Sequence, residues 1–265
     1  MSKGTKTFLV IGAGTGIGGH AAKRFAAGGY HAVLVRRSDS DGLEALVGAI
    51  RSEGGDASGR LLDASLPDSI EELVDDVERA IGPIECVLYN LGAQIGNRAL
   101  TDTPLRTFEL GWRLGCFGLF RLAQVLLPRM AERGSGSLLV TSATAAVRGN
   151  AGQHSHAAAM GGRRMLCQTL NAEYAPRGVH VAHVVVDGSV DAPDTLGKLL
   201  GDRFEAYKAS KGEDGVIDPG VLAETYWHLA HQPRNCWTHE LDVRPFSDVP
   251  WWNDNPPSAI DTRAR

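Results

Sequence analysis

Short apolar segments alternate with longer helical stretches through most of the chain. Seven of these segments are predicted as β-strands, and they cover residues 7–11, 31–35, 60–62, 84–89, 137–141, 179–186 and 240–243. Strands that are apolar along nearly their whole length are typical of a parallel sheet covered by helices on both faces. Because crossovers between parallel strands are right-handed, the pattern predicts an α/β fold with a doubly wound sheet.

The stretches between the predicted strands carry the helical signals. The predicted helices cover residues 16–27, 43–50, 67–80, 104–132, 156–174 and 221–230. No linker composition and no internal repeat divide the chain, so residues 1–245 are predicted to form a single domain.

Two later segments break the alternation of strands and helices. Residues 187–218 are rich in Gly, Asp and Lys and are predicted to form a mobile flap over the site. The tail, 246–265, contains three prolines and two adjacent tryptophans at Pro250, Trp251, Trp252, Pro256 and Pro257. The tail is predicted either to be disordered or to dock onto the fold or onto a partner subunit.

Glycines cluster where the first predicted strand passes into the first predicted helix. The segment reads Gly12, Ala13, Gly14, Thr15, Gly16, Ile17 and Gly18. Glycine lets the backbone turn tightly and lets a pyrophosphate approach, while a helix N-terminus offers free N–H groups and a positive dipole end. A tight turn alone would also explain the glycines, but the strand-loop-helix context favours a dinucleotide cofactor. The predicted domain is therefore a Rossmann-type dinucleotide-binding domain.

Two arginines stand at the end of the second predicted strand, where a site for NAD(H) would hold an acidic residue. The guanidinium groups of Arg36 and Arg37 suit a 2′-phosphate and leave a bare ribose without its acidic partner. Solvated surface arginines are the alternative. The pair predicts that NADP(H) is preferred over NAD(H).

These segments resemble the short-chain dehydrogenase/reductase superfamily over nearly the whole chain. The resemblance also covers residues 89–92, 136–143 and 177–181 and the pair 187–188. It implies a seven-stranded Rossmann fold and a nicotinamide cofactor. In addition to the glycine loop, it implies cofactor contacts from Asp63, Asn90, Gly92 and Gly188, with Asp63 holding the adenine.

The same resemblance places the family's catalytic residues on four positions, and none of them carries the family side chain. The family serine falls on Ala143, the tyrosine on His156, the lysine on Met160 and the asparagine on Gly115. Ala143 and His156 are 13 residues apart (156 − 143), the separation usual for the family serine and tyrosine. The chain is identified as a divergent member without the usual proton-transfer residues.

His156 is the candidate catalytic acid. With an ordinary pKa of about 6.5, it would donate or accept a proton near neutrality. This predicts an atypical NADP(H)-dependent oxidoreductase that reduces a carbonyl, imine or activated alkene of a small molecule. A polar residue at a helix start is the alternative for His156. Ser142 and Thr144 are substitute hydroxyls, although Ser142 is expected on the opposite face of its strand.

Two other classes of function stay open. One is a non-redox lyase, isomerase or cyclase, and the other is a catalytically silent, cofactor-binding regulatory protein. The family's YxASK string does occur at Tyr207 to Lys211, but it lies in the predicted flap after the sixth strand. We interpret it as a coincidence unless the flap folds into the cleft.

Composition limits the classes of binding partner and the cellular compartment that we expect for this protein. The formal charge is −4 with no basic block, which predicts no nucleic-acid partner and no anionic membrane surface. The apolar runs fall short of the ~20 residues of a membrane span, and no apolar signal core precedes the first strand. No metal site is predicted. The cysteines form no CxxC pair, which predicts reduced thiols in the cytoplasm, and they are Cys86, Cys116, Cys167 and Cys236.

A homodimer or homotetramer is predicted from two helices. Residues 104–132 and the helix from 156 resemble the pair that forms subunit contacts in the superfamily. The candidate contact residues, which core packing would explain equally well, are Leu119, Leu122, Leu126, Met165 and Leu166.

Overall fold

Seven strands form one sheet in the computed structural model, which describes residues 5–92 and 96–253. The strands are β1 (Lys6–Ile11), β2 (Tyr30–Arg36), β3 (Asp56–Leu61), β4 (Ile84–Tyr89), β5 (Gly136–Ala143), β6 (Val179–Val186) and β7 (Glu240–Val243). The helices are α1 (Ile17–Ala27), α2 (Ser40–Ser52), α3 (Ser69–Ala80), α4 (Leu105–Trp112), α5 (Gly118–Glu132), α6 (His154–Tyr174), α7 (Lys198–Leu200), α8 (Phe204–Ser210) and α9 (Pro219–Ala230).

Every pairing between these strands is parallel, and the strand order is β3-β2-β1-β4-β5-β6-β7. The order reverses at β1, which lies between β2 and β4. In open α/β sheets, ligands bind in the crevice outside the carboxyl ends of the strands at such a reversal. The predicted α/β fold with a doubly wound, seven-stranded sheet is confirmed.

Alternate residues of the central strands face two separate cores. Leu9 and Ile11 of β1 are buried in the core that contains α3, α5 and α6. Phe8 and Val10 are buried in the core that contains α1, α2 and α9. Because successive side chains of a strand point to opposite faces, this burial explains why the strands are apolar throughout.

Several elements differ from the predicted ranges. Strand β3 begins at Asp56 rather than at residue 60, because its polar residues pair in register with β2. Helix α6 begins at His154, two residues earlier than predicted. The predicted flap contains α7 and α8, helices of three and seven residues that are too short to show a helical period in the sequence.

The described part of the tail docks onto the fold. The Trp251 backbone N–H donates to the Asp187 carboxylate at 3.0 Å, and the Trp251 carbonyl accepts from Arg148 at 2.9 Å. Of the two alternatives predicted for the tail, disorder or docking, docking onto the fold is therefore confirmed for the residues up to Trp251. Pro256 and Pro257 lie outside the described residues, and the division into a domain at 1–245 and a tail stays a prediction.

One helical stretch of the described chain, Leu105–Glu132, has the length and apolar composition to cross a membrane. Half of its most apolar window is buried inside the protein, and core helices meet the same criterion, so this is weak evidence for a span. Leu119, Leu122 and Leu126 of this stretch are fully buried in the protein's own core. These three residues are therefore not available as a subunit contact.

Candidate active site

The glycine loop between β1 and α1 closes tightly against the end of β4. Gly12 has a φ of +101°, a left-handed conformation that favours glycine. The side-chain amide of Asn90 donates to the Gly12 carbonyl oxygen at 2.9 Å. A Cβ on Gly18 would collide with that same oxygen. The shape of the loop therefore depends on both glycines.

A cleft of about 950 Å³ extends from the glycine loop to the start of α6. This volume lies at the upper end of the range for cofactor sites, about 300–1,000 Å³, and together with the glycine-rich loop it fits a dinucleotide. One cleft thus joins the predicted cofactor and catalytic sites. The predicted residues in its wall are Gly12, Gly14, Gly16, Ile17, Gly18, Arg36, Arg37, Asn90, Gly92, Ala143, His156, Met160 and Gly188.

Other candidate site residues from the sequence lie outside this wall, and they are Thr15, Asp63, Gly115 and Thr144. Asp63 accepts hydrogen bonds from the Ser65 hydroxyl at 2.6 Å and from the Ser65 backbone N–H at 2.9 Å. These bonds hold the pKa of the Asp63 carboxyl below its usual value, against the opposing effect of burial. Asp63 thus shapes the turn after β3, and its contact with adenine stays a prediction.

Arg36 is not an open phosphate ligand in this structure. Its guanidinium pairs with Asp39 at 2.8 Å and with Asp194 at 2.9 Å, and its side chain is only 10% exposed. Arg37 is exposed and also lines the cleft. The sequence pattern missed Asp194, because it lies 158 residues from Arg36.

His156 lies in the first turn of α6, and its Nδ1 atom is buried without a hydrogen-bond partner among the described residues. Burial, together with the positive charge of Arg163, lowers its pKa to about 4. The expectation of a histidine that titrates near neutrality is therefore wrong. At neutral pH His156 is a neutral imidazole with one N–H donor and one acceptor nitrogen.

Met160 and Ala143 form an apolar surface next to His156. Both residues line the cleft, and the Met160 side chain is almost fully buried. The Ser142 hydroxyl donates to Met160 Sδ at 3.8 Å, a weak contact. The expectation that Ser142 points to the opposite face is wrong, because it lies on the α6 side of β5 and lines the cleft.

Arg163 is a site residue that the sequence reasoning missed. It is 1% exposed, and its guanidinium donates to the backbone carbonyls of Gly115 at 2.5 Å and of Leu91 at 2.7 Å, and also to that of Thr141. Burial lowers its pKa from the ordinary arginine value. The available signal was spacing, because Arg163 follows His156 by seven residues and so lies on the same face of α6.

The YxASK string of the flap reaches the cleft only indirectly. The Tyr207 hydroxyl lies 2.5 Å from Ser189 Oγ, and Ser189 is in the cleft wall. Lys211 pairs with Asp248 at 3.1 Å. Tyr207 therefore contacts the cleft wall through Ser189 and does not itself line the cleft.

Comparisons with known proteins identify the family. The family described as short chain dehydrogenase matches residues 6–196. The short-chain reductase protein NovJ of Streptomyces niveus is 33% identical over 238 residues, which cover 88% of this chain and 89% of NovJ. The uncharacterized oxidoreductase YxbG of Bacillus subtilis (strain 168) is 30% identical over 198 residues, 75% of this chain and 71% of YxbG.

Solved structures agree with this assignment. A short-chain dehydrogenase from Rhodopseudomonas palustris superposes with a TM-score of 0.76 at 31% identity, covering 91% of this chain and 99% of that one. A metagenomic short-chain oxidoreductase in complex with NADP gives a TM-score of 0.76 at 24% identity, covering 93% and 100%, and so shows the fold alone. The chain belongs to the short-chain dehydrogenase family, whose members are oxidoreductases with a nicotinamide cofactor.

Proposed function

We propose that this protein is an NADP(H)-dependent reductase that adds a hydride and a proton to a carbonyl, imine or activated alkene of a small molecule. The observation that carries the proposal is the Nδ1 atom of His156. It is buried, has no partner among the described residues, and belongs to a side chain in the wall of the glycine-loop cleft. Buried polar atoms are normally hydrogen-bonded, so His156 is not held in place as an ordinary core histidine. Because Nδ1 is enclosed by the protein, the other ring nitrogen, Nε2, is the atom proposed to contact a ligand in the cleft.

The cofactor would be held by the glycine loop, residues 12–18, and by Arg36 and Arg37. Loop amides at the start of α1 suit the pyrophosphate, and guanidinium groups suit a 2′-phosphate, which supports NADP(H) over NAD(H). When bound, the reduced nicotinamide supplies the hydride.

His156 acts in this proposal as a neutral imidazole. Because its pKa is about 4, the ring is neutral, and its N–H donates a hydrogen bond to the oxygen or nitrogen of the substrate. The hydride adds to the carbon, and water supplies the proton that completes the reduction. The charge of Arg163 disfavours a second positive charge on the ring. For the same reason it favours the negative charge that develops on a substrate oxygen. Together, the two side chains polarise the substrate without an imidazolium.

The substrate that fits the α6 end of the cleft is largely apolar. The cleft wall there includes Ala143 and Met160, and elsewhere the flap adds the apolar residues Val190, Leu196 and Leu199 to the wall. Such surfaces bind apolar groups by removing them from water, and a few polar atoms then fix the orientation. His156 provides the polar contact.

A catalytically silent cofactor-binding protein is the second candidate, and Met160 favours it. A thioether at the position of the family lysine cannot bind ribose hydroxyls or shift the pKa of a neighbour by its charge. A non-redox lyase, isomerase or cyclase would instead act without the nucleotide.

For assembly, we propose a homodimer or homotetramer in the cytoplasm. An exposed aromatic strip follows α4 and α5, where Trp112 stacks on Phe117 at 5.3 Å and Phe117 stacks on Phe120 at 6.4 Å between ring centroids. Met165 of α6 is also exposed. All four cysteines are unpaired, as is usual in a reducing compartment. Light scattering of the purified protein measures the assembly.

The test of the proposed function is nucleotide titration followed by a substrate panel. We expect NADPH to bind more tightly than NADH and to be consumed with one class of carbonyl, imine or activated alkene. Binding without consumption across the panel favours the silent protein, and conversion without nucleotide favours the non-redox enzyme. Failure to bind either nucleotide contradicts the proposal.

A further inference from the structure

A carboxylate from the flap lies on the predicted phosphate site. Asp194 Oδ2 accepts the Thr15 backbone N–H at 3.1 Å and pairs with the Arg36 guanidinium at 2.9 Å. These donors are a loop amide and the arginine at the end of β2, the groups assigned above to cofactor phosphates. An internal anion therefore holds the donors that an external anion would need.

Neighbouring contacts fasten this part of the flap to the glycine loop. Ala192 lies so close to Gly16 that an added Cβ there would approach the Ala192 Cβ to 2.6 Å. The Asp194 backbone N–H donates to Thr15 Oγ1 at 3.3 Å, and Lys198 pairs with the Asp194 carboxylate at 3.4 Å. Burial alone would raise the pKa of Asp194, but the Thr15 hydrogen bond and the nearby cations lower it. The side chain is thus an anion at neutral pH.

Asp39, the second carboxylate on Arg36, has a different role. One of its oxygens lies 2.8 Å from the guanidinium, and the other accepts the Gly42 N–H at 3.0 Å as the N-cap of α2. Asp39 is therefore built into a helix end. Asp194 reaches Arg36 from a distant segment with short helices, so it is the carboxylate that an incoming phosphate displaces.

We propose that Asp194 is a specificity-determining residue that takes the place of the cofactor's 2′-phosphate on Arg36 and so sets the choice between NADPH and NADH. The proposal rests on the proposed NADP(H)-dependent function. Carboxylate and phosphate compete because both accept hydrogen bonds from the planar guanidinium. Both dinucleotides compete with Asp194 for the Thr15 amide through their pyrophosphate, but only NADPH, through its 2′-phosphate, also competes for Arg36.

The Asp194→Asn variant tests this competition, because it keeps the shape of the side chain and removes its charge. We expect the ratio of NADPH affinity to NADH affinity to rise about tenfold in fluorescence titrations. The control is Asp191→Asn, which removes a flap carboxylate that pairs with Lys208 at 3.2 Å, and it should leave the ratio unchanged. If Asp194→Asn binds NADPH with an unchanged ratio, the inference fails and the proposed function stands.

A double-mutant cycle with Arg36→Gln shows whether the effect passes through the guanidinium. In the Arg36→Gln background, Asp194→Asn should no longer change the affinity ratio, because the shared donor is absent. An equal gain in both backgrounds would mean general loosening of the flap and would overturn the inference.

Inorganic phosphate provides a readout that needs no nicotinamide. Millimolar phosphate should raise the Tm of Asp194→Asn more than that of the wild-type protein, because the substitution frees Arg36 for an anion. Equal shifts contradict the inference. A larger shift in the variant supports the competition between Asp194 and an anion for Arg36. If neither protein then binds NADPH, this competition stands, whereas the proposed function and the role of Asp194 in cofactor choice are overturned.

Discussion

The two ends of the cleft differ in how they relate to the family pattern. At the glycine-loop end, Gly12, Gly18 and Asn90 follow the pattern that the family resemblance implies, and a Cβ at Gly12 or Gly18 would collide with the backbone. At the α6 end, the sequence resemblance aligns His156 and Met160 with a tyrosine and a lysine of the family pattern. Cofactor binding depends on backbone shape, whereas proton transfer depends on individual side chains. The two functions can therefore diverge separately within one cleft.

The α6 end also contains a cation of its own. Arg163 is buried on the same helix face as His156, and it ties together carbonyls from the ends of β4 and β5 and from the turn before α5. The difference between the two ends is therefore more than loss of the family residues. The α6 end has a different electrostatic arrangement, with a buried guanidinium and a neutral imidazole.

The largest expected effect tests Arg163 itself. Arg163→Met leaves three buried carbonyls without their donor, and we expect the free energy of unfolding to fall by about 3 kcal/mol or more. The control is Arg164→Met, whose partly exposed pair with Glu240 at 2.7 Å should be worth about 1 kcal/mol. Chemical denaturation measures both. Equal losses of unfolding free energy in the two variants would show that the buried bonds of Arg163 stabilise the α6 end no more than a surface ion pair does.

Removal of the imidazole tests the proposed chemistry. His156→Phe should lower kcat/KM at least about 100-fold, because the donor to the substrate is lost. The Kd for NADPH should change less than about threefold, since the glycine loop is untouched. His154→Phe, at the first residue of α6 and outside the cleft wall, is the control. Unchanged turnover in His156→Phe would remove this residue from the mechanism.

Substitution in the loop tests the other end. Gly18→Ala places a methyl group against the Gly12 carbonyl, and we expect NADPH affinity to fall about 30-fold, or about 2 kcal/mol. Gly48→Ala is the control, because a Cβ at that position in α2 meets open space. Equal NADPH affinity in both variants would mean that the loop does not bind the cofactor.

The pH dependence of stability gives a smaller effect. His156 has a pKa of about 4 in the folded protein, below the ordinary 6.5, so the unfolded chain binds the proton first. Its contribution to stability is complete above pH 6.5 and is lost as the pH falls from 6.5 towards 4. His183, whose pKa burial also lowers to about 4, adds to this slope. His156→Phe should therefore reduce the slope without abolishing it in denaturation curves, and an identical slope would contradict the shift.

The smallest expected effect concerns the flap. Tyr207→Phe removes the 2.5 Å hydrogen bond to Ser189 and should cost about 1 kcal/mol of stability, with turnover within about threefold of wild type. A loss of turnover as large as that of His156→Phe would place the proton donor in the flap. The group that contacts the substrate would then belong to the flap and not to the α6 end of the cleft.

The sheet and the glycine loop could both be predicted from local sequence patterns. Seven apolar segments predicted the parallel sheet, and the predicted strand-loop-helix context identified the glycine loop. Both signals are local. A strand buried on two faces needs consecutive apolar residues, and a tight turn needs glycines that are close together in the sequence. The resemblance to the family likewise implied the replacements at Ala143, His156 and Met160.

The ion pairs and pKa shifts in the cleft could not be predicted from the sequence and became visible in the folded structure. The pairing of Arg36 with Asp194 joins residues 158 apart, and the pKa of His156 depends on its burial and on Arg163. The burial of Leu119 in the core was likewise undecided by its helical spacing. The physical reason is that desolvation and ion pairing depend on which distant atoms surround a group, and no local pattern records those neighbours.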